Sequence, residues 1–105
     1  MIKVEIIRNN NNNIKKISIL GHAMYDEYGK DIVCASVSTL VISTVNNILS
    51  INDKTIKVEQ NDSRIIIEYI FKDNIIDILI NNMISNLNTL ASNYPKNIKI
   101  IDKEE

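Results

Sequence analysis

The sequence is poor in the residues on which most reactive sites and tight turns are built. Its 105 residues include one histidine, one cysteine, one proline and two glycines, and there is no tryptophan. A single cysteine excludes a disulfide within the chain. A free thiol suits a reducing compartment, so we expect a cytoplasmic protein.

Charge of one sign is also lacking. With 12 basic and 13 acidic residues the net charge is −1, so there is no basic field to grip a phosphate backbone and no nucleic-acid partner is expected. The start, MIKVEIIR, alternates charge with aliphatics and does not resemble a signal peptide. No stretch approaches the roughly 20 apolar residues that span a bilayer, so no membrane partner is expected.

What is present predicts regular secondary structure. Within residues 1–21, Ile2, Val4 and Ile6 alternate with polar side chains, the period of a half-buried strand. The asparagines of residues 9–13 follow, and asparagine tolerates the left-handed backbone of tight turns. A second alternating stretch then completes a β-hairpin over this segment.

The second half of the chain contains another hairpin. Residues 54–60 alternate, residues 61–63 read Asn-Asp-Ser and make a turn, and residues 64–71 form a strongly β-prone strand. Near the end, residues 97–101 predict a short last strand, and we expect residues 102–105 to be a charged tail.

Two helices are predicted, each opened by an aspartate that can cap the first turn. The first runs from Asp31 to about Ser50 and is apolar on most sides, so we expect it to be buried between sheet and second helix or against another subunit. The second runs from Asp73 to about Ser92, and Pro95 stops it. The resulting order ββαββα(β) predicts one α+β domain over residues 1–105, an antiparallel or mixed β-sheet with two helices packed on one face.

The only histidine and the only cysteine, His22 and Cys34, flank a short loop before the first helix. Cys34 falls in the first helical turn, where amides without an intrahelical partner and the helix macrodipole favour a thiolate and could stabilise an oxyanion. His22 ends the second strand and could reach back to the thiol. From spacing alone an inert, buried cysteine is the stronger alternative, because free cysteines are commonly core residues.

Metal binding is a weak interpretation of the same pair. His22 and Cys34 supply only two of the four ligands that zinc usually takes, so no metal and no other cofactor are expected. In the loop between them, Met24 and Tyr28 are expected to be packing residues. The acidic Asp26 and Glu27 could meet basic groups of a substrate, although such residues are usually only solvated.

The segment 21–38 carries a resemblance to a known family. The residues G-H-A at 21–23, Gly29, and D-I-V-C-A-S-V-S at 31–38 resemble the signature of the ribosomal-processing cysteine protease family, Prp. Length and element order agree over the whole chain. This sequence has Ser36 where the family usually has alanine, and we expect no loss from so small a change.

The resemblance implies a substrate, which composition and residue spacing do not identify. Family members remove a short N-terminal extension from a large-subunit ribosomal protein, the twenty-seventh by the usual count, and are homodimers. Carried over, Cys34 is the nucleophile and His22 the general base. A non-catalytic ribosome-associated binding module, whose Cys34 and His22 serve packing alone, is the competing hypothesis.

Other residues of the segment are candidates for orienting His22 or contacting substrate, namely Gly21, Gly29, Asp31 and Ser38. Asp31 could orient the imidazole or simply cap the helix. The Ser38 hydroxyl, one turn after the cysteine, could reach the site or bond back to its own helix. The polar loop of residues 23–30 is expected to be mobile when empty and to order on substrate binding, the alternative being an ordinary exposed loop.

Overall fold

A computed structural model describes residues 1–27 and 29–104. The order of elements is the predicted one, with a fifth strand at the end. The strands and helices are β1 (Ile2–Arg8), β2 (Ile14–Leu20), α1 (Ile32–Ile51), β3 (Ile56–Asn61), β4 (Arg64–Tyr69), α2 (Asn74–Asn93) and β5 (Ile98–Glu104).

The five strands form one mixed sheet in the order β3-β4-β2-β1-β5. Both hairpins are antiparallel, β2 pairs antiparallel with β4, and β5 pairs parallel with β1. The parallel pair requires a crossover, which the chain makes through β2, both helices and the second hairpin. The predicted mixed α+β sheet is therefore confirmed.

One face of the sheet is apolar across the strands. Val4 of β1 lies opposite Ile19 of β2, and Ile17 of β2 lies opposite Ile67 of β4, all of them buried. Because side chains alternate along a strand, this register places the apolar set on a single face. The buried residues of both helices join the same core cluster, so both helices cover that face.

Helix α1 buries one side only. Its buried residues fall every three or four positions, at Val33, Val37, Val41, Val45 and Ile48. Within the single chain the outer surface of α1 is open, where serine, threonine and asparagine lie beside a few exposed aliphatics. The alternative that this surface is buried against another subunit stays a prediction.

By length and composition alone, α1 also meets the criteria of a membrane-spanning helix, with a mean hydropathy of 1.7. This corrects the expectation that no segment is long and apolar enough to span a bilayer. The observation is weak evidence, since a core helix meets the same criteria and the valine side of α1 packs in the core.

Helix α2 begins and ends as predicted. The Asp73 carboxylate accepts from the amides of Ile75 and Ile76. The helix ends before Pro95, and the amide of Tyr94 closes the last turn on the Leu90 carbonyl. Its buried side is formed by Ile76, Ile80, Met83, Ile84 and Leu87.

The asparagine run of residues 9–13 forms the turn of the first hairpin. Asn12 has a left-handed φ of 64°, and the Asn9 side chain accepts hydrogen bonds from two amides of the turn, which confirms the predicted role of this run.

The predicted charged tail is wrong for Asp102, Lys103 and Glu104, because β5 continues through them and pairs along the full length of β1. Arg8 binds Asp102 and Lys103 binds Glu5 across this pair, so the charges stabilise an outer strand.

Candidate active site

Cys34 lies in the first turn of α1, half-buried against the core. Its amide donates to the Asp31 carboxylate over 3.0 Å, and so does the amide of Val33. These two amides, which have no intrahelical partner, are bound by the Asp31 cap as the sequence predicts, so they are not free to bind an oxyanion. The electrostatic environment of a helix N-terminus remains, and it favours a negatively charged sulfur.

The loop returns to the thiol, as the sequence predicts for a strand–loop–helix connection. The amide of Ala23 donates to Cys34 Sγ over 3.1 Å. A donor on the sulfur stabilises the thiolate relative to the thiol. Because Ala23 directly follows His22, this bond brings the backbone of the histidine beside the sulfur.

His22 is held through its neighbours. The Gly21 amide donates to the Ser63 carbonyl over 2.8 Å, and Ala23, only 1% exposed, is tied to Cys34. The histidine itself is exposed and, among residues 1–27 and 29–104, makes no hydrogen bond. Its imidazole is thus carried on a fixed backbone and open to a substrate.

The conformation at Gly21 is one that other residues avoid. Its φ is +89°, and an added Cβ would lie 2.6 Å from the Met1 carbonyl oxygen. Gly29 has a similar φ of +86°, yet nothing lies within 4 Å of the corresponding position. Both glycines serve the backbone, and contact of either with a substrate stays a prediction.

Asp31 is a structural centre of the site. One carboxylate oxygen accepts the two helix amides, and the other accepts the amides of Tyr25 and Asp26 over 2.9 and 3.3 Å. Partial desolvation raises the pKa of the Asp31 carboxyl, but these four amide donors outweigh it and hold the pKa below its usual value. The helix-cap role is confirmed, while the alternative that Asp31 orients His22 stays a prediction.

The two serines of the segment behave differently. The Ser36 hydroxyl donates back to the Ile32 carbonyl over 2.7 Å, so the serine at the family's alanine position satisfies itself within the helix. Ser38 is exposed one turn after Cys34, and within the described ranges its hydroxyl makes no hydrogen bond. Substrate contact by Ser38 stays a prediction.

One residue of the loop between His22 and Cys34 differs from its predicted role. Met24 is 77% exposed with a left-handed φ of 58°, so it is not the packing residue that the sequence suggested. The left-handed backbone turns the chain away from the core directly after Ala23. Tyr28 lies outside the described residues, and the gating role of the loop stays a prediction.

Sequence reasoning missed Asn97. Its side-chain amide donates to the Ala23 carbonyl over 3.0 Å, although the two residues are 74 positions apart. No local pattern signals such a contact, because asparagine is common in this chain and the turn before β5 is brought to the loop only by the folded sheet.

This arrangement can support thiol chemistry. It combines a half-buried cysteine at a helix start, an amide donor on its sulfur and an open imidazole next along the backbone. Among the described residues, no group of three or more histidine, cysteine or acidic side chains could hold a metal ion. The fold and the site together define the class of a thiol-dependent hydrolase of the α+β type.

The comparisons with known proteins name the family. A family model described as cysteine protease Prp matches residues 1–99. The ribosomal processing cysteine protease Prp of Staphylococcus aureus is 29% identical over 103 residues, which cover 95% of this chain and 97% of that protein. The Bacillus subtilis protein of the same description is 25% identical over 107 residues, covering 95% and 96%.

Solved structures agree. The S. aureus Prp protease in complex with a covalently linked product peptide matches with a TM-score of 0.92 at 27% identity, covering 98% of this chain and all of that one. The same protease with a substrate peptide matches at 0.87 and 26% identity, with the same coverage. The chain belongs to the Prp cysteine protease family, and it is a hydrolase of the ribosomal-processing type.

The two glycines allow a matched test of the Gly21 contact. Gly29→Ala should cost about 1–2 kcal/mol, the penalty of an L-residue in left-handed backbone. Gly21→Ala should cost clearly more, because its Cβ also meets the Met1 carbonyl. Urea unfolding of both variants measures the difference, and equal losses would show that the chain absorbs the contact.

Asp31 predicts a pH-dependent stability. Its folded-state pKa is depressed, so its contribution is fully present above the unfolded-state value and is lost as pH falls through the folded-state value. Asp31→Asn should therefore melt well below the wild type at about pH 6, and the gap should narrow as pH falls below the unfolded-state pKa of about 4. Asp53→Asn, in the exposed turn after α1, is the control. A gap for Asp31→Asn that does not change with pH would contradict the assignment.

Proposed function

We propose that this protease removes the short N-terminal extension of the large-subunit ribosomal protein that the family resemblance implies, the twenty-seventh. In this proposal Cys34 is the nucleophile, since the chain has no other cysteine, and His22 is the general base. The observation that carries it is the hydrogen bond from the Ala23 amide to Cys34 Sγ, which brings the backbone of the histidine beside the thiol.

The chemistry is acyl transfer through a thioester. The imidazole of His22 takes the thiol proton, and the thiolate attacks the scissile carbonyl carbon. Collapse of the tetrahedral intermediate breaks the C–N bond, and the imidazolium protonates the leaving amine. Water then adds to the thioester with His22 again accepting a proton, and the thiol is regenerated as the acid product leaves.

The surface around the thiol supports a peptide substrate. Met24 and Tyr25, which follow Ala23, and Ile32, two residues before Cys34, are all exposed and offer apolar side chains to an extended peptide. Asp26 and Glu27 add negative charge in the same loop. The S. aureus relative is described in complex with a substrate peptide, which supports the same class of ligand here.

Cleavage of the extended ribosomal protein is the direct test. Cys34→Ala should lower the cleavage rate by at least about 10³-fold, and His22→Ala should lower it strongly, because the nucleophile and its base act as a unit. Ser36→Ala, in the same turn of α1, is the matched control and should retain activity, since its hydroxyl bonds only within the helix. Mass spectrometry of the partner measures loss of the extension.

An unchanged mass with the wild-type chain would contradict the proposed substrate and favour the binding-module hypothesis for this partner. Retained cleavage by Cys34→Ala would remove Cys34 as the nucleophile. Circular dichroism of each variant separates loss of chemistry from loss of fold.

We further propose a cytoplasmic homodimer that pairs through the outer surface of α1. This helix is the most apolar segment, yet only 28% of its most apolar window is buried, and Ile42 and Leu49 are exposed on it. Light scattering should give twice the 12.0 kDa chain mass, and Ile42→Lys should give the single mass. Ile78→Lys, on the exposed side of α2, is the control, and a single-chain mass for the wild type would contradict the dimer.

A further inference from the structure

The turn between α2 and β5 contacts the histidine loop at two points. The Asn97 side chain donates to the Ala23 carbonyl, and the Tyr94 ring meets the Tyr25 ring edge to face, with centroids 5.4 Å apart and planes at 84°. These contacts join the last strand to the loop that carries His22. Among the described residues, neither Asn97 nor Tyr94 makes a hydrogen bond to the sulfur.

We propose that Asn97 is a positioning residue for the thiol, acting through Ala23. The two bonds of Ala23 point to different partners: its amide donates to Cys34 Sγ and its carbonyl accepts from Asn97. A hydrogen bond to the Ala23 carbonyl restricts rotation of the backbone at Ala23. This restriction keeps the Ala23 amide directed at the sulfur. The effect on cleavage rests on the proposed function of Cys34, whereas the effect on thiol reactivity does not.

The turn has main-chain hydrogen bonds that do not involve the Asn97 side chain. The Asn97 amide donates to the Tyr94 carbonyl over 2.9 Å, and the Asn97 carbonyl accepts the Ile2 amide over 2.8 Å. Both bonds use the main chain, so substitution of the side chain leaves the turn and its link to β1 in place. Loss of the bond to Ala23 can therefore be studied in a folded chain.

The charged groups near the sulfur stay constant in the variants. Asp31 holds the Cys34 amide from the helix side, and His22 precedes Ala23 on the loop side. Asn97 contributes a neutral donor, so its removal changes hydrogen-bond geometry and not charge. A shift in thiol reactivity then reports the direction of the Ala23 amide.

The test is the pH profile of Cys34 alkylation by iodoacetamide, in the full chain without substrate. Because only the thiolate reacts, the profile reports how well the sulfur's negative charge is stabilised. In Asn97→Ala the midpoint of the alkylation profile should rise by about one pH unit, as expected for a weakened hydrogen bond to a charged group. At pH values well below the midpoint, the alkylation rate should fall about tenfold. Asn97→Leu should give the same shift, since an aliphatic side chain of similar size cannot donate to the Ala23 carbonyl and adds no charge.

Asn93→Ala is the control, because it changes a neutral, exposed asparagine at the end of α2 whose side chain makes no hydrogen bond within the described part of the chain. Unchanged midpoints in both Asn97 variants would overturn the proposal, even if their melting temperatures fell, since a merely structural role moves only stability. Failure of the wild type to trim the ribosomal protein, with the midpoint still shifted in Asn97→Ala, would reject the proposed substrate and leave the positioning role standing.

Discussion

The carboxylate of Asp31 is the interaction on which the site depends. One of its oxygens fixes the start of α1, and the other fixes the loop that returns from the histidine. The start of α1 and the loop are thus hydrogen-bonded to the same carboxylate, and Cys34 lies between them. Without this shared acceptor, four backbone donors would need other partners, and one of the constraints on the distance between loop and thiol would be lost.

The sheet supplies the remaining constraints, and they come from distant parts of the chain. The turn of the second hairpin accepts the Gly21 amide, and the segment before β5 supplies Asn97 to the Ala23 carbonyl. Strand β5 can reach this position because it pairs with β1 at the edge of the sheet, beside the start of the chain.

Local patterns predicted the elements well because each one is written in neighbouring residues. Alternation, an aspartate cap and a proline stop are short-range signals, and the strands and helices follow them closely. The errors arose where distant contacts determine the structure: Met24 is turned outward, and residues 102–104 join a strand. The sequence alone indicates His22 and Cys34 as candidates, whereas it gives no sign of Asn97, because the contact of Asn97 exists only after the sheet has formed.

The site is built mainly from backbone groups, and this explains how it tolerates sequence change. The donors to the sulfur and to Asp31 are all main-chain amides, which any residue except proline supplies. Selection on side chains then falls on the few positions where the backbone is unusual or the side chain is itself a partner, such as Gly21 and Asp31. A chain can accordingly share only 27% of its residues with the S. aureus protease and still superimpose with a TM-score of 0.92.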